Sequence, residues 1–335
     1  MPFTGDILKY KSMSIVGLEK NTGKTECLNY VLKQLEHSGK QLALTSIGID
    51  GEGIDQVTFT HKPEIELFEN LIFVTSEKHY SKKRLDAEIL AVSERRTALG
   101  RLVTARARGE GKVIFSGPPD NVWLRQTIDA MQGYGVDTTI VDGALSRLSP
   151  GSPAVTESMI LATGAAVSAN IHTIVSKTRF VYTLIQIEAF QSPVNEKLQC
   201  LENGIYAIDD QWNIINLDIP SVFLLEKHRE KLFGHGKTLF VTGAVSDSLL
   251  NFLRVQNNIG EIILVVRDFT RLFVTSEAYI AFVNKGGQIR VLLRTKLIAV
   301  CVNPVSPGGF VLDSRKLCES MSETLGIPVY DVRKI

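Results

Sequence analysis

A lysine and a threonine at the start of a helix pattern are the residues of this sequence best suited to chemistry. Lys24 and Thr25 follow Gly23, and an amphipathic helix pattern comes directly after them. A short apolar run that ends at Gly17 predicts a strand just before this loop. Because a helix N-terminus offers unpaired N–H groups and the positive end of the helix dipole, this order predicts a phosphate-binding loop. Lys24 would contact the β- and γ-phosphates of a nucleoside triphosphate, and the Thr25 hydroxyl would hold Mg²⁺.

The spacing of this loop departs from the common phosphate-binding pattern, in which four residues separate the two glycines. Five residues separate Gly17 from Gly23. Either the loop carries an insertion, or Gly17 only ends the strand and Lys20–Thr25 forms the cradle, which is the interpretation we prefer. The alternative to both is an ordinary strand-to-helix turn that binds no nucleotide. The residues predicted to contact nucleotide are Lys20, Asn21, Thr22, Gly23, Lys24, Thr25 and Glu26.

Two carboxylates follow the second predicted strand. The apolar segment 42–49 predicts a buried strand that neighbours the loop strand, and Asp50 and Glu52 come directly after it. Open α/β sheets place their ligands at this edge of the sheet, so both side chains are candidates for the site. The alternative is a glycine-rich turn that uses aspartate for its backbone conformation.

A third carboxylate ends a later apolar strand. Segment 137–144 predicts a buried strand that ends at Asp142 and Gly143. This is the form of a Walker B element, in which the carboxylate holds Mg²⁺ directly or through water. Because apolar strands that end in Asp-Gly are common in α/β proteins, the assignment depends on the loop at Lys24 earlier in the chain.

The composition is that of an ordinary globular protein long enough for two domains. The chain has 335 residues, 44% hydrophobic and 22% charged. The net charge of +1 argues against a dominating nucleic-acid or anionic-membrane surface, so we expect neither as a partner. Four cysteines without metal-ligand spacing indicate reduced thiols. No secretion signal and no apolar run near the roughly 20 residues of a membrane span is visible, so we expect a cytoplasmic protein.

The order of predicted elements indicates an α/β fold. We expect a three-layer P-loop sandwich with a mainly parallel sheet over 1–193, a connecting segment over 194–220, and a smaller α/β domain over 221–335. The basic segment 78–112 is predicted to be a solvated helix face rather than a surface for phosphates or an acidic partner. The alanine-rich segment 157–190 predicts a long helix. Its small residues would permit close packing on the sheet or on another subunit, and we expect a homo-oligomer.

The loop Lys20–Thr25 resembles that of the GTP-binding molybdopterin-dinucleotide adaptor proteins, within the P-loop group that includes the nitrogenase iron protein and the MinD-like ATPases. In that group an acidic residue after the second strand often positions the attacking water or the metal, which implies this role for Asp50 and then Glu52. Together with segments 46–52 and 141–144, the loop looks like the reactivase component of adenosylcobalamin-dependent lysine and ornithine aminomutases. This resemblance implies ATP-driven exchange of damaged cobalamin on a partner enzyme.

The nucleotide and its purpose are predicted partly from motifs that the sequence lacks. No Asn/Thr-Lys-x-Asp element follows the loop, so ATP is preferred to GTP, and ATP with Mg²⁺ is the expected cofactor pair. The predicted catalytic residues are Lys24, Asp50 and Asp142, and the predicted metal ligands are Thr25, Asp142 and Asp50. Since no further residues of substrate chemistry are recognisable, we expect an ATP hydrolase that remodels a partner protein. The alternatives are an ATP-dependent ligase or kinase acting on a small acid, and a cofactor- or metal-insertion NTPase.

Overall fold

The structure is a computed structural model that describes residues 2–48, 65–143, 152, 154–219 and 229–335. The chain forms two compact units. Unit 1 comprises Met1–Arg179 and Thr295–Ile335, and unit 2 comprises Phe180–Arg294.

The described residues form eighteen strands and ten α-helices. The strands are β1 (Ser12–Gly17), β2 (Leu42–Ser46), β3 (Ile65–Leu67), β4 (Ile72–Ser76), β5 (Ala87–Thr97), β6 (Gly100–Ala107), β7 (Gly111–Val113), β8 (Thr138–Gly143), β9 (Ser158–Gly164), β10 (Ile205–Ile208), β11 (Ile214–Asn216), β12 (Thr238–Val241), β13 (Val245–Ser246), β14 (Ile263–Val266), β15 (Leu272–Phe273), β16 (Gln288–Val291), β17 (Lys296–Asn303) and β18 (Val329–Tyr330). The helices are α1 (Thr4–Ile7), α2 (Lys24–Leu35), α3 (Glu77–Tyr80), α4 (Asn121–Met131), α5 (Ile171–Ile185), α6 (Asn195–Cys200), α7 (Arg229–Phe233), α8 (Asp247–Arg254), α9 (Ser276–Asn284) and α10 (Ser314–Leu325).

A large sheet forms the centre of unit 1, with nine strands among the described residues. Its strand order is β18-β17-β9-β1-β8-β2-β4-β6-β5. Neighbours from β18 to β4 run parallel, and the pairs β4–β6 and β6–β5 are antiparallel. The mainly parallel α/β sheet is therefore confirmed. The prediction that the strand at 42–49 neighbours the loop strand was wrong, because β8 lies between β1 and β2. The connection between two parallel strands can leave room for one strand between them, which a later segment of the chain then fills.

Helices cover both faces of this sheet. Leu28 of α2 packs with Ile140 in one core cluster, while Leu124 and Ile128 of α4 pack with Val141 in another. Ile140 and Val141 are successive residues of β8, and successive side chains of a strand point to opposite faces. Helix α2 and helix α4 therefore lie on opposite faces, which gives a three-layer arrangement.

An antiparallel hairpin of β5 and β6 occupies most of the basic segment 78–112, so the helix predicted there was wrong. Ala105 and Ala107 are buried, whereas Thr104 and Arg106 between them are partly exposed. Burial that alternates from one residue to the next is the pattern of a strand, and a count of charged residues does not detect this alternation.

The alanine-rich segment 157–190 begins with a strand, and helix α5 starts only at Ile171. Strand β9 is buried along its whole length between β1 and β17. A strand buried on both faces has a continuous run of apolar and small residues instead of alternation, so its pattern does not distinguish it from a buried helix. The prediction of one long helix was therefore wrong.

Unit 2 has its own sheet, with the order β11-β10-β12-β14-β16 among the described residues. Strands β12, β14 and β16 are parallel, and β10 is antiparallel to both of its neighbours. Helix α8 connects β12 to β14, and helix α9 connects β14 to β16. Phe240 and Val265 of this sheet pack with Leu198 of α6 in a separate core cluster.

The bounds of the two units differ from the predicted domain bounds 1–193, 194–220 and 221–335. Strand β17 pairs with β9 and strand β18 pairs with β17, so the chain returns to the sheet of unit 1 after completing unit 2. Strands β17 and β18 therefore belong to the sheet of unit 1, although both fall within the smaller domain expected over 221–335. The predicted bounds assumed that each domain is one continuous segment of the chain, whereas unit 2 is inserted between two segments of unit 1.

Among the described residues, no helix combines the length and the apolar character needed to cross a membrane.

Candidate functional site

The loop between β1 and α2 turns tightly into the helix. Helix α2 begins at Lys24, and its N-cap residue Gly23 has a φ of 87°. Asn21 also lies in the left-handed region, with a φ of 60°. The Gly23 carbonyl accepts the N–H of Cys27 at 2.9 Å, which is the first bond of the helix. Since the first N–H groups of a helix have no acceptor within it, this turn offers donors to a ligand at the loop.

The Lys24 side chain lies against the end of β1. A Cβ atom added to Gly17 would lie 2.3 Å from Thr22 Oγ1 and 3.0 Å from Lys24 Cγ. Lys24 Nζ lies 3.4 Å from the Glu19 carbonyl oxygen, to which Thr22 Oγ1 donates at 2.9 Å. A side chain at position 17 would collide with this arrangement, so Gly17 contributes to the packing of the loop and does more than end the strand.

The other predicted loop residues differ in exposure. Thr22 is buried and Lys20 is exposed, while Asn21, Thr25 and Glu26 are half-buried. Thr25 and Glu26 belong to the first turn of α2. Thr25, the predicted Mg²⁺ ligand, is thus a partly exposed residue at the start of α2.

Asn303, the last residue of β17, packs on the loop. A Cβ atom added to Gly23 would lie 2.7 Å from Asn303 Cβ and 3.3 Å from its Nδ2. Asn303 Oδ1 accepts the N–H of Val305 at 3.1 Å, which orients the side chain. The start of α2 is thus in direct contact with the end of β17.

Gly164, the last residue of β9, permits this contact by bringing β9 and β17 close together. A Cβ atom added to Gly164 would lie 2.0 Å from the Asn303 carbonyl oxygen. The same oxygen accepts the N–H of Ala165 at 2.8 Å. The position of Asn303 therefore depends on a glycine at residue 164.

Asp142 lies on the face of the sheet that α2 covers. It pairs with Ile15 of β1 and with Ser46 of β2. Ile140, two residues earlier on β8, packs in the cluster that contains α2, and residues two apart on a strand share a face. Asp142 therefore lies at the carboxyl edge of the sheet, on the strand next to β1, and on the same face as the start of α2.

The end of β2 is held by the segment that precedes α4. A Cβ atom on Gly117 would lie 1.6 Å from the Ser46 carbonyl oxygen. Gly117 N–H donates to the Gly48 carbonyl at 3.0 Å, and Gly48 N–H donates to the Pro118 carbonyl at 2.8 Å. These contacts fix the chain just before the segment that contains Asp50.

A buried hydrogen-bond network at Ser116, just before Gly117, was not predicted from the sequence. Ser116 Oγ lies 2.9 Å from His79 Nδ1 and donates to Ser76 Oγ at 2.8 Å. All three residues are buried at the carboxyl end of β4. The network supports the position of residues 116–118 against β2.

Asp50 and Glu52, the predicted water- or metal-positioning residues, lie outside the described residues. In the described parts of the chain, no group of three or more His, Cys, Asp or Glu side chains is arranged to hold a metal ion. Thr25 and Asp142 nevertheless fit Mg²⁺, which usually binds through one or two protein ligands together with substrate phosphates and water.

Two buried thiols lie in the core between α2 and β17. Cys27 Sγ and Cys301 Sγ are 3.6 Å apart. The hydrogen bond to Cys27 and burial raise the pKa of the Cys301 thiol, so it stays protonated at neutral pH. The four cysteines are free thiols, as predicted.

Asn303 and Gly164 are the site residues that the sequence analysis missed. Asn303 is a polar residue at the end of an apolar strand, which is the same signal that identified Asp142. The role of Gly164 depends on the pairing of β9 with β17, and no local pattern indicates it.

Comparison with known proteins gives little further information. No protein family model and no curated protein matches the chain. Among solved structures, the chain is similar to one described as pNOB8 ParA bound to nonspecific DNA, with 12% identity, 82% of this chain and 92% of that chain covered, and a TM-score of 0.26. A similarity this weak assigns neither a ligand nor a partner to this chain.

The prediction that excluded nucleic acid as a partner was wrong. The matched structure is of a ParA protein bound to nonspecific DNA. The exclusion depended on the net charge of +1, and a net charge does not describe how charges are distributed: residues 78–112 contain ten Lys and Arg against four Asp and Glu. The observations therefore exclude no nucleic-acid partner and assign none.

Proposed function

We propose that this chain is a P-loop nucleotide hydrolase that binds ATP and Mg²⁺ at Lys20–Glu26 and uses hydrolysis to change the conformation of a protein assembly. The observation that best supports the proposal is the packing of the loop, in which Gly17 leaves space for the Lys24 side chain and a left-handed Gly23 starts α2. Such a loop can direct backbone N–H groups and a lysine toward phosphate oxygens.

Each residue of the proposed site has a role that its position allows. Lys24 would neutralise charge on the β- and γ-phosphates, and the loop N–H groups would donate to phosphate oxygens. Thr25 and Asp142 would hold Mg²⁺, which when bound reduces the negative charge between these phosphates. Asp50 would orient the attacking water.

Asn303 is proposed as a positioning residue that couples the loop to the rest of the chain. It touches Gly23 at the start of α2 and ends β17. Strand β17 begins two residues after Arg294, the last residue of unit 2. A change at the loop on hydrolysis would therefore reach β17 through a direct contact, as switch loops in nucleotide hydrolases require.

This coupling supports the remodelling role, which the sequence suggests through its lack of further residues of substrate chemistry. The specific form implied by the resemblance of the loop is reactivation of an adenosylcobalamin-dependent aminomutase. An ATP-dependent ligase or kinase acting on a small acid is the competing form.

Steady-state ATP hydrolysis by the full chain tests the proposal. The protein is assayed alone, with an inactivated lysine or ornithine aminomutase, and with a panel of carboxylic and amino acids. We expect slow hydrolysis that a protein partner stimulates. Stimulation by a small acid, together with a phosphorylated or ligated product, would contradict remodelling but not the nucleotide site. No hydrolysis under any condition would contradict the hydrolase assignment itself.

A further inference from the structure

We propose that the loops after β12 and β14 in unit 2 bind a small oxyanion, a carboxylate or phosphate group, through Arg267, Arg271 and Ser246. All three residues belong to unit 2, and none of them is part of the proposed nucleotide site.

Buried donors without acceptors are concentrated at these loops. Four buried side-chain N or O atoms have no hydrogen-bond partner among the described residues, and three of them are Arg267 Nε, Arg271 Nε and Ser246 Oγ. Folded proteins leave few such groups, because a buried donor without an acceptor has lost its hydrogen bonds to water without replacement. An oxyanion that accepts from two guanidinium groups and one hydroxyl satisfies all three.

The topology of unit 2 brings the three residues to one edge of its sheet. Strands β12 and β14 are adjacent and parallel, so their carboxyl ends lie side by side. Ser246 follows β12, and both arginines follow β14. Strand β13 pairs with β15 and places Ser246 opposite Phe273, which joins the two loops directly. Ligands of open α/β sheets bind at this edge.

The acidic side chains at these loops already accept hydrogen bonds from neighbouring threonines. Asp268 is buried and accepts the N–H of Thr270 at 2.9 Å together with its hydroxyl. Asp247 accepts the N–H of Thr275 at 2.8 Å and its hydroxyl at 3.0 Å. These bonds orient both carboxylates toward backbone and hydroxyl donors.

The arginines favour an oxyanion with two oxygens side by side. The Nε and one terminal nitrogen of a guanidinium form a planar fork that matches a carboxylate or a phosphate. Arg267 also donates to the Leu201 carbonyl, which fixes the plane of its guanidinium. Gly243, in the loop after β12, has no heavy atom of the described residues within 4 Å of an added Cβ, so there is free space beside it.

Calorimetric titration of the full chain tests the site. The parent protein carries Lys24→Ala, which removes the main phosphate contact proposed in unit 1. Sodium phosphate and sodium succinate are titrated separately, with sodium chloride at equal ionic strength as the control. We expect saturable binding of at least one oxyanion, and comparison of the two salts shows whether phosphate or carboxylate is preferred.

The matched variants are Arg271→Gln and Lys237→Gln, each of which removes one positive charge from unit 2. Lys237 precedes β12 at the opposite edge of the sheet and pairs with Glu261. Loss of one charge-assisted hydrogen bond should weaken anion binding about tenfold or more in Arg271→Gln and leave it unchanged in Lys237→Gln. Arg271→Lys keeps the charge without the fork and should bind with intermediate affinity.

Thermal unfolding separates a ligand-binding role from a structural one. Without anion, Ser246→Ala removes a buried hydroxyl that lacks a partner, so its unfolding midpoint should equal or exceed that of the parent. With anion, the parent midpoint should rise and the Ser246→Ala midpoint should rise less. If Arg271→Gln does not fold, Ser246→Ala and Arg271→Lys decide the question.

Three results would overturn the proposal: no saturable binding of either oxyanion to the parent, equal weakening by Lys237→Gln and Arg271→Gln, or destabilisation by Ser246→Ala in the absence of anion.

Discussion

Replacing Gly23 by alanine is expected to disrupt the loop through two separable effects. The φ of 87° is a left-handed conformation that costs a residue with a Cβ about 1–2 kcal/mol. The new Cβ would also lie 2.7 Å from Asn303 Cβ, whereas carbon atoms pack at about 3.5 Å or more, and such overpacking costs about 1–3 kcal/mol. The free energy of unfolding should fall by roughly 2–5 kcal/mol. Because the strained atoms start α2, ATP affinity should fall by about tenfold or more.

Gly39→Ala is the matched control for the backbone effect. Gly39 has a φ of 70°, but no described heavy atom lies within 4 Å of its added Cβ. This variant should therefore lose only about 1–2 kcal/mol. Urea unfolding gives the free energies of unfolding, provided that the denaturant slopes agree, and calorimetry with Mg-ATP gives the affinities.

The double variant with Asn303→Gly isolates the contact. Asn303→Gly removes the Cβ with which the new methyl group collides. Its own cost is about 0.5–1 kcal/mol for glycine in a strand, together with loss of the bond that Asn303 Oδ1 accepts from Val305. The loss of unfolding free energy in Gly23→Ala/Asn303→Gly should be about 1–3 kcal/mol smaller than the sum of the losses in the two single variants. Two results would refute a collision between residue 23 and Asn303: Gly23→Ala no more destabilising than Gly39→Ala, or effects of the two changes that add without coupling.

Two further predictions concern carboxylates. Asp142→Asn should bind ATP with unchanged affinity yet lose Mg²⁺-dependent hydrolysis in a steady-state assay, because the amide keeps the shape and discards the charge; an undiminished rate would contradict the metal role. The pKa of Glu77 lies below its usual value, first because the Arg101 N–H donates to it and then because the Arg101 guanidinium does. A lowered folded-state pKa adds stability above the unfolded-state pKa of about 4.3, and this stability is lost as pH falls through the folded-state value. Glu77→Gln should therefore slightly flatten the acid side of the profile of unfolding temperature against pH, and an identical profile would count against this pairing.

The parts of the site that the sequence predicts are local in the chain. The order strand, glycine loop, lysine and helix spans only about a dozen residues, and Asp142 is recognisable because it ends an apolar strand. Helices α4 and α10 also have local signals in the sequence: apolar residues recur at helical spacing after Asp120 and Asp313, which cap the first turns.

The parts that the sequence does not predict depend on strand order. Asn303 reaches Gly23 only because β17 pairs with β9, which lies beside β1. The same return of the chain makes unit 2 an insertion, so a linear division of the sequence misplaces β17. Strand β9 was mistaken for helix because full burial removes the alternation that marks a strand.

The most direct test of the central claim, that ATP binds at the loop between β1 and α2, is calorimetric titration of Mg-ATP into three proteins. Lys24→Ala removes a half-buried lysine at the loop without leaving a core cavity, and Lys33→Ala removes an exposed lysine from the same helix. We expect saturable binding to the wild type and to Lys33→Ala, with affinity at least about tenfold weaker in Lys24→Ala. Equal affinity in all three proteins, with Lys24→Ala fully folded, would contradict the assignment.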